Sequence, residues 1–157
     1  MRKHVNSPLK CSGKIAVDNT SPDKGAVGFY KTSLCKEKLS YLLSSDTVHA
    51  CWSGIKDAES GIEQFVITLI EKTNSKVMQK ITLQGKETKV NMTRLTIRDG
   101  VSYRLSLTAV NRVYMGTTTV SPWLLADRSA PNAGRVTAQI DNAVRVWWMV
   151  PIASNIE

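Results

Sequence analysis

Between Tyr103 and Ala109 the chain alternates without a break: Tyr103, Leu105, Leu107 and Ala109 are apolar in body, and Arg104, Ser106 and Thr108 are polar. Successive side chains of a strand point to opposite faces, so this stretch has one face for a core and one for water, as in a half-buried antiparallel strand. The same period of two recurs along the chain. Val48, Ala50 and Trp52 alternate with Thr47, His49 and Cys51; Phe65, Ile67 and Leu69, entered through Ile62, share a face; Val77, Ile81 and Leu83 follow. Thr88, Val90 and Met92 alternate with Lys89, Asn91 and Thr93, and a last strand through Thr117–Val120 ends at Ser121-Pro122-Trp123. Turn formers separate the runs at Ser53–Gly61, Asn74–Lys76 and Gln84–Lys86. Only Leu34–Leu43 fits helix or strand equally. Short strands punctuated by turns at this density predict an all-β, two-sheet sandwich.

A second regularity concerns organisation. Asp18-Asn-Thr20-Ser-Pro22-Asp-Lys-Gly25-Ala-Val27 recurs as Asp127-Arg-Ser129-Ala-Pro131-Asn-Ala-Gly134-Arg-Val136, an offset of 109 residues (127 minus 18). Proline fixes φ and glycine lets the chain turn, so both copies read as linkers between modules. The expected layout is the end of a preceding module and a linker over 1–29, one domain over 30–130, and over 131–157 a linker and the start of a further, incomplete module.

Trp52, followed after a gap by Tyr103 opening Tyr-x-Leu-x-Leu-x-Ala-x-Asn to Asn111, resembles the fibronectin type III modules, with Ile97 six positions before the tyrosine. Trp52 through Ile62, Trp-x-Gly-x-x-Asp-x-Glu-Ser-Gly-Ile, is similar to repeats of large animal extracellular proteins whose modules are joined by Asp…Pro-x-x-Gly linkers. The resemblance implies an immunoglobulin-like antiparallel sandwich of about seven strands, with Trp52, Phe65, Ile67, Ile97, Tyr103, Leu105 and Leu107 in its core and the tyrosine hydroxyl returned to nearby backbone. It also implies a non-catalytic module of a multi-repeat extracellular or cell-surface protein, with other proteins or matrix components as partners and adjacent repeats in cis. Rival readings are a fragment of a signalling-receptor ectodomain and a cytoplasmic, filament-type repeat. Tyr114 stands where such modules often have a glycine; Arg-Gly-Asp and the tryptophan–serine repeat of cytokine receptors are absent from the sequence.

The net charge of +8 is spread as +3, +5 and 0 over residues 1–29, 30–130 and 131–157. A weak site for heparin-like polyanions is expected if Lys86, Lys89 and Arg104 share a sheet face; with no aromatics interleaved among them, nucleic acid is not expected. Of Cys11, Cys35 and Cys51, the last two pair if residues 31–40 form the strand beside Thr47–Trp52, Cys51 then facing outward; otherwise they are free thiols, as in a cytoplasmic protein. Asn91-Met-Thr93 and Asn19-Thr-Ser21 are glycosylation sequons, Asn91 on an outward strand position. Asp57 and Glu59 invite a catalytic or calcium reading, but a short Ser/Gly loop favours side chains that cap their own turn. His49 faces outward without Ser or Asp in support, and no phosphate loop or metal-ligand spacing occurs, so neither enzymatic activity nor a cofactor is expected. Met1–Pro8 has the charge of a signal peptide without its apolar stretch, and no window offers the ~20 apolar residues of a membrane span. A fragment of a longer chain is the expectation.

Overall fold

The alternating stretches form the strands of two antiparallel sheets. The computed structural model describes residues 17–43, 46–130, 136–141 and 143–148. Two compact units divide the chain, Met1–Asp127 and Arg128–Glu157. In the first, β1 (Ala26–Tyr30), β2 (Val48–Ser53) and β5 (Lys89–Met92) make a three-stranded sheet with β2 central. The other sheet runs β4 (Val77–Gln84), β3 (Ile62–Glu71), β6 (Ser102–Asn111), β7 (Gly116–Val120), and the short β8 (Leu124–Leu125) also pairs with β6. The result is an all-β sandwich. Among the described residues no helix is long and apolar enough to cross a membrane.

The inward phase of each strand fills the space between the sheets. Val27, Phe29, Val48, Ala50, Trp52 and Met92 come from one side; Phe65, Ile67, Leu69, Tyr103, Leu105, Leu107 and Ala109 come from the other. The Trp52 and Phe65 rings meet at 5.3 Å with a 58° tilt, and Ile97 is buried in the same cluster. Each such large apolar side chain contributes roughly 1.5–3 kcal/mol when fully buried.

Three local expectations change. The strand beside β2 is β1, in register from Ala26↔Ser53 to Tyr30↔His49, and not residues 31–40. It crosses the boundary drawn at residue 30 because Val27 and Phe29, an alternating pair, are needed in the core. Leu34–Leu43 is neither helix nor strand. Only Leu42 is buried, through a bridge to Ala126, while Leu34 and Leu43 are exposed, so no continuous apolar face exists to stabilise a helix. Val77 leaves the phase of Ile81 and Leu83 and is 54% exposed, because the β3–β4 register shifts between Leu69 and Ile70.

At the end of the sandwich where β6 begins, the Tyr103 hydroxyl accepts the Arg98 N–H at 2.9 Å. The Arg98 guanidinium pairs with Glu71, whose carboxylate is buried at the end of β3. That hydrogen-bonded pair raises the Arg98 pKa, chiefly through the bond to Glu71.

In the second unit β9 (Val136–Asp141) and β10 (Ala143–Trp148) form an antiparallel pair that places Val136 opposite Trp148. Cys11 and the stretches 1–16 and 149–157, which the expected layout assigned to neighbouring modules, lie outside the described residues.

Candidate functional site

The other end of β6 is Asn111, in phase with Tyr103 and therefore directed into the sandwich, where it is fully buried. A buried carboxamide must be satisfied or it costs about 1–3 kcal/mol. Asn111 meets this requirement with five contacts. Its Oδ1 accepts the N–H groups of Val113 (3.2 Å) and Met115 (2.8 Å), which shapes the β6–β7 loop. Its Nδ2 donates to Asp18 Oδ2 (3.1 Å), the Thr20 carbonyl (3.0 Å) and Asp57 Oδ2 (3.0 Å). One side chain thus ties together the β6–β7 loop, the β2–β3 loop and the segment leading into β1.

The β2–β3 loop is held in the same way. Asp57 Oδ1 accepts three backbone N–H groups, from Glu59 (3.2 Å), Ser60 (2.9 Å) and Gly61 (3.0 Å). Asp57 does cap its own turn, and with its other oxygen it does more. The Asn111 amide, then these N–H groups, hold its carboxyl below the ordinary value against the opposing effect of burial. Glu59 is exposed and accepts the Thr20 hydroxyl at 2.5 Å. Asp18 Oδ1 takes the Thr20 N–H at 3.0 Å, and the Asp18 carboxyl is also held low, first by the neighbouring Ser60 hydroxyl and then, against burial, by that N–H. Ser60 Oγ itself is buried and closes no hydrogen bond of ordinary geometry. Farther along, Asp23 N–H donates to the Lys56 carbonyl at 2.7 Å. Gly25 then passes so close to β2 that a Cβ would stand 2.2 Å from the Ser53 carbonyl oxygen. Close approach, rather than a reversal of the chain, is what requires glycine there. Among the described residues no group of three or more His, Cys, Asp or Glu is arranged to hold a metal.

Above this network the loop from Arg112 to Met115 is closed by Asn111 N–H to the Met115 carbonyl (2.9 Å) and Tyr114 N–H to the Asn111 carbonyl (3.1 Å). Tyr114 adopts φ = 65° and is 85% exposed. A left-handed conformation costs a non-glycine residue about 1–2 kcal/mol, and no core burial offsets it here. Val113 beside it is 43% exposed, and Arg112 pairs with Glu63 at 3.7 Å on the surface. The result is a fixed loop presenting an aromatic ring to solvent.

The remaining sequence candidates lie elsewhere. Asn91 is exposed on β5 and its Oδ1 sits 2.8 Å from His49 Nδ1 across the β2–β5 ladder. Asn19 is exposed between Asp18 and Thr20. A disulfide joins Cys35 to Cys51, with Cα atoms 6.1 Å apart. Cys51 does take the outward phase of β2, yet it is 5% exposed. Over that face lies the loop after β1, fastened by Lys89 Nζ to the Ser33 carbonyl (3.1 Å) and by Lys31 N–H to the Glu37 carbonyl. Lys86, Lys89 and Arg104 do not share a face. Lys89 is on β5 of the three-stranded sheet, Arg104 is on β6 of the other, and Lys86 is in the β4–β5 turn. Arg104 instead stacks on Trp123 at 4.6 Å, with Lys72 at 5.9 Å from the same ring.

Sequence reasoning missed Asn111, Arg112 and Glu71 as site or clamp residues. The available signal was a polar residue in apolar phase: Asn111 continues Tyr103–Ala109, and Glu71 continues Phe65–Leu69.

No family model and no curated protein matches the chain. Among solved structures it is similar to the fibronectin type III domain of the human collagen alpha-1(XX) chain, at 14% sequence identity and a TM-score of 0.43, over 79% of this chain and 99% of that one. A three-stranded sheet facing one of four strands extended by the short β8, all paired antiparallel, gives the first unit a fibronectin type III-like fold.

Proposed function

We propose that the chain is a non-catalytic structural and recognition module of a multi-repeat extracellular or cell-surface protein, and that it binds a protein or matrix partner through the Arg112–Met115 loop. The observation that carries this reading is Tyr114, an 85% exposed aromatic held at φ = 65° by a loop anchored on a buried asparagine. Backbone strain without burial to offset it is a mark of function. A rigid tyrosine offers much contact area at small entropic cost, which is why it recurs among interface anchors. The Cys35–Cys51 bridge supports an oxidising compartment, and exposed Asn91 leaves room for a glycan.

Arg128–Glu157 opens the next repeat in this reading. Val136 opposite Trp148 repeats the pairing of Val27 with Trp52, and the linker preceding Val136 repeats the linker preceding Val27. The polyanion reading loses support, since the three cations invoked for it are dispersed.

The test is saturable binding of the secreted chain to cell surfaces and a panel of matrix proteins, wild type against Tyr114→Ala. A tenfold or greater loss with an unchanged melting temperature supports the loop as the binding element. Equal binding by the two proteins overturns it.

A further inference from the structure

The groups that hold residues 18–22 are set in place by contacts that do not involve that segment. Asn111 is oriented by Val113 and Met115, and Asp57 by Glu59, Ser60 and Gly61. What they read is specific in chemistry. An aspartate carboxylate and the carbonyl two residues on accept from Asn111 Nδ2, and the hydroxyl on that second residue donates to Glu59. Pro22 follows two positions later, and Ser60 Oγ is a buried hydroxyl with no hydrogen bond of ordinary geometry beside the seat. The segment has no strand of its own, so side-chain and carbonyl contacts do the holding. The same carboxylate, hydroxyl and proline spacing occurs once more, as Asp127-Arg-Ser129-Ala-Pro131.

We propose that Asn111, Asp57, Glu59 and Ser60 form a docking site for an Asp-x-Ser/Thr-x-Pro segment, filled in this chain by residues 18–22, and that residues 127–131 are a second segment of the chemistry this site accepts. Each such linker is then a latch for the module that follows it. A module whose own latch is removed accepts the linker of another copy, which makes the site a device for head-to-tail association. The identity of the second segment rests on the tandem reading given above; the site itself does not.

The 157-residue chain carrying Asp18→Ala and Thr20→Ala opens the site. A synthetic peptide of residues 125–134 is titrated into it, followed by the side-chain amide resonances of Asn111. The expected result is saturable binding at least tenfold tighter than to wild type, and at least tenfold weaker for the peptide carrying Asp127→Ala. Glu59→Gln, at an exposed position, weakens the peptide severalfold without altering the fold. Tyr114→Ala leaves peptide binding unchanged, so this inference and the loop reading fail separately. Should the double variant melt below the assay temperature, Asp18→Asn alone opens the seat with little change in size and gives the same comparison. No shift of the Asn111 amide up to about 1 mM peptide, or equal binding to wild type and variant, overturns the proposal.

Discussion

Strand β6 ends in a buried polar group at both extremities, and the two ends use it differently. At Tyr103 the hydroxyl takes one backbone N–H from five residues upstream, and the adjoining Arg98 closes on buried Glu71. At Asn111 the carboxamide gathers three segments, one of them 93 residues distant in sequence, and leaves a strained tyrosine outside. Both ends satisfy the rule that buried polar groups must be paired. The corner turns that pairing into a sheet crossover held by local chain. The loop end uses it to position surface groups and the segment leading into β1. One strand therefore separates what keeps the fold from what the fold presents.

Tyr103→Ala tests the corner most severely. Loss of a fully buried ring costs about 3–5 kcal/mol, so the domain is expected to unfold, as it is for Trp52→Ala; a native-like melt in either would sink the core assignment. Asn111→Ala, by contrast, is expected to cost about 2–3 kcal/mol by stranding the amides of Val113 and Met115. The sandwich should persist, and hydrogen exchange should quicken at those two amides while Arg98 N–H stays protected. A uniform loss of protection would mean the two ends do not act separately.

Acid sharpens the contrast. The folded protein holds the Asp18 and Asp57 carboxyls below the ordinary aspartate value, so their contribution is complete above that ordinary value and is lost as pH falls through the lowered folded pKa. Protection factors at Val113 and Met115 are expected to hold at ordinary carboxylate pKa values and to fall only at more acid pH; unchanged values down to about pH 2 would show the carboxylates to be dispensable. The raised Arg98 pKa places its own contribution below strongly alkaline pH. The smallest effect is that of Tyr114→Gly, which removes the left-handed strain and is expected to stabilise the domain by up to about 1 kcal/mol in thermal melts while abolishing partner binding. Destabilisation instead would show that the tyrosine serves the fold.

The strands and the core were legible because alternation is a local signal, and the tyrosine corner because its partners lie within six residues. The loop end was not, since its decisive contacts join Asp18, Asp57 and Asn111 across the whole domain. Asp57 was legible only as far as its own turn. Leu34–Leu43 misled because leucines without a consistent period carry little information until the bridge to Ala126 selects one of them. Lys89 and Arg104 sit on strands of outwardly similar pattern, and only the sheet order sends them to opposite sides.

The connection between β1 and β2 is long, and the Cys35–Cys51 bridge, spanning 16 positions in sequence, closes most of it and the start of β2 into a ring. In a chain of such modules pulled from its ends, those residues cannot lengthen even when the sandwich gives way. At ~3.5 Å per residue, less the short span that the bridge itself keeps, this withholds roughly 50 Å of extension from each rupture. A reducing environment would restore that length, so the same module would yield as a shorter tether outside a cell than in a thiol-rich one.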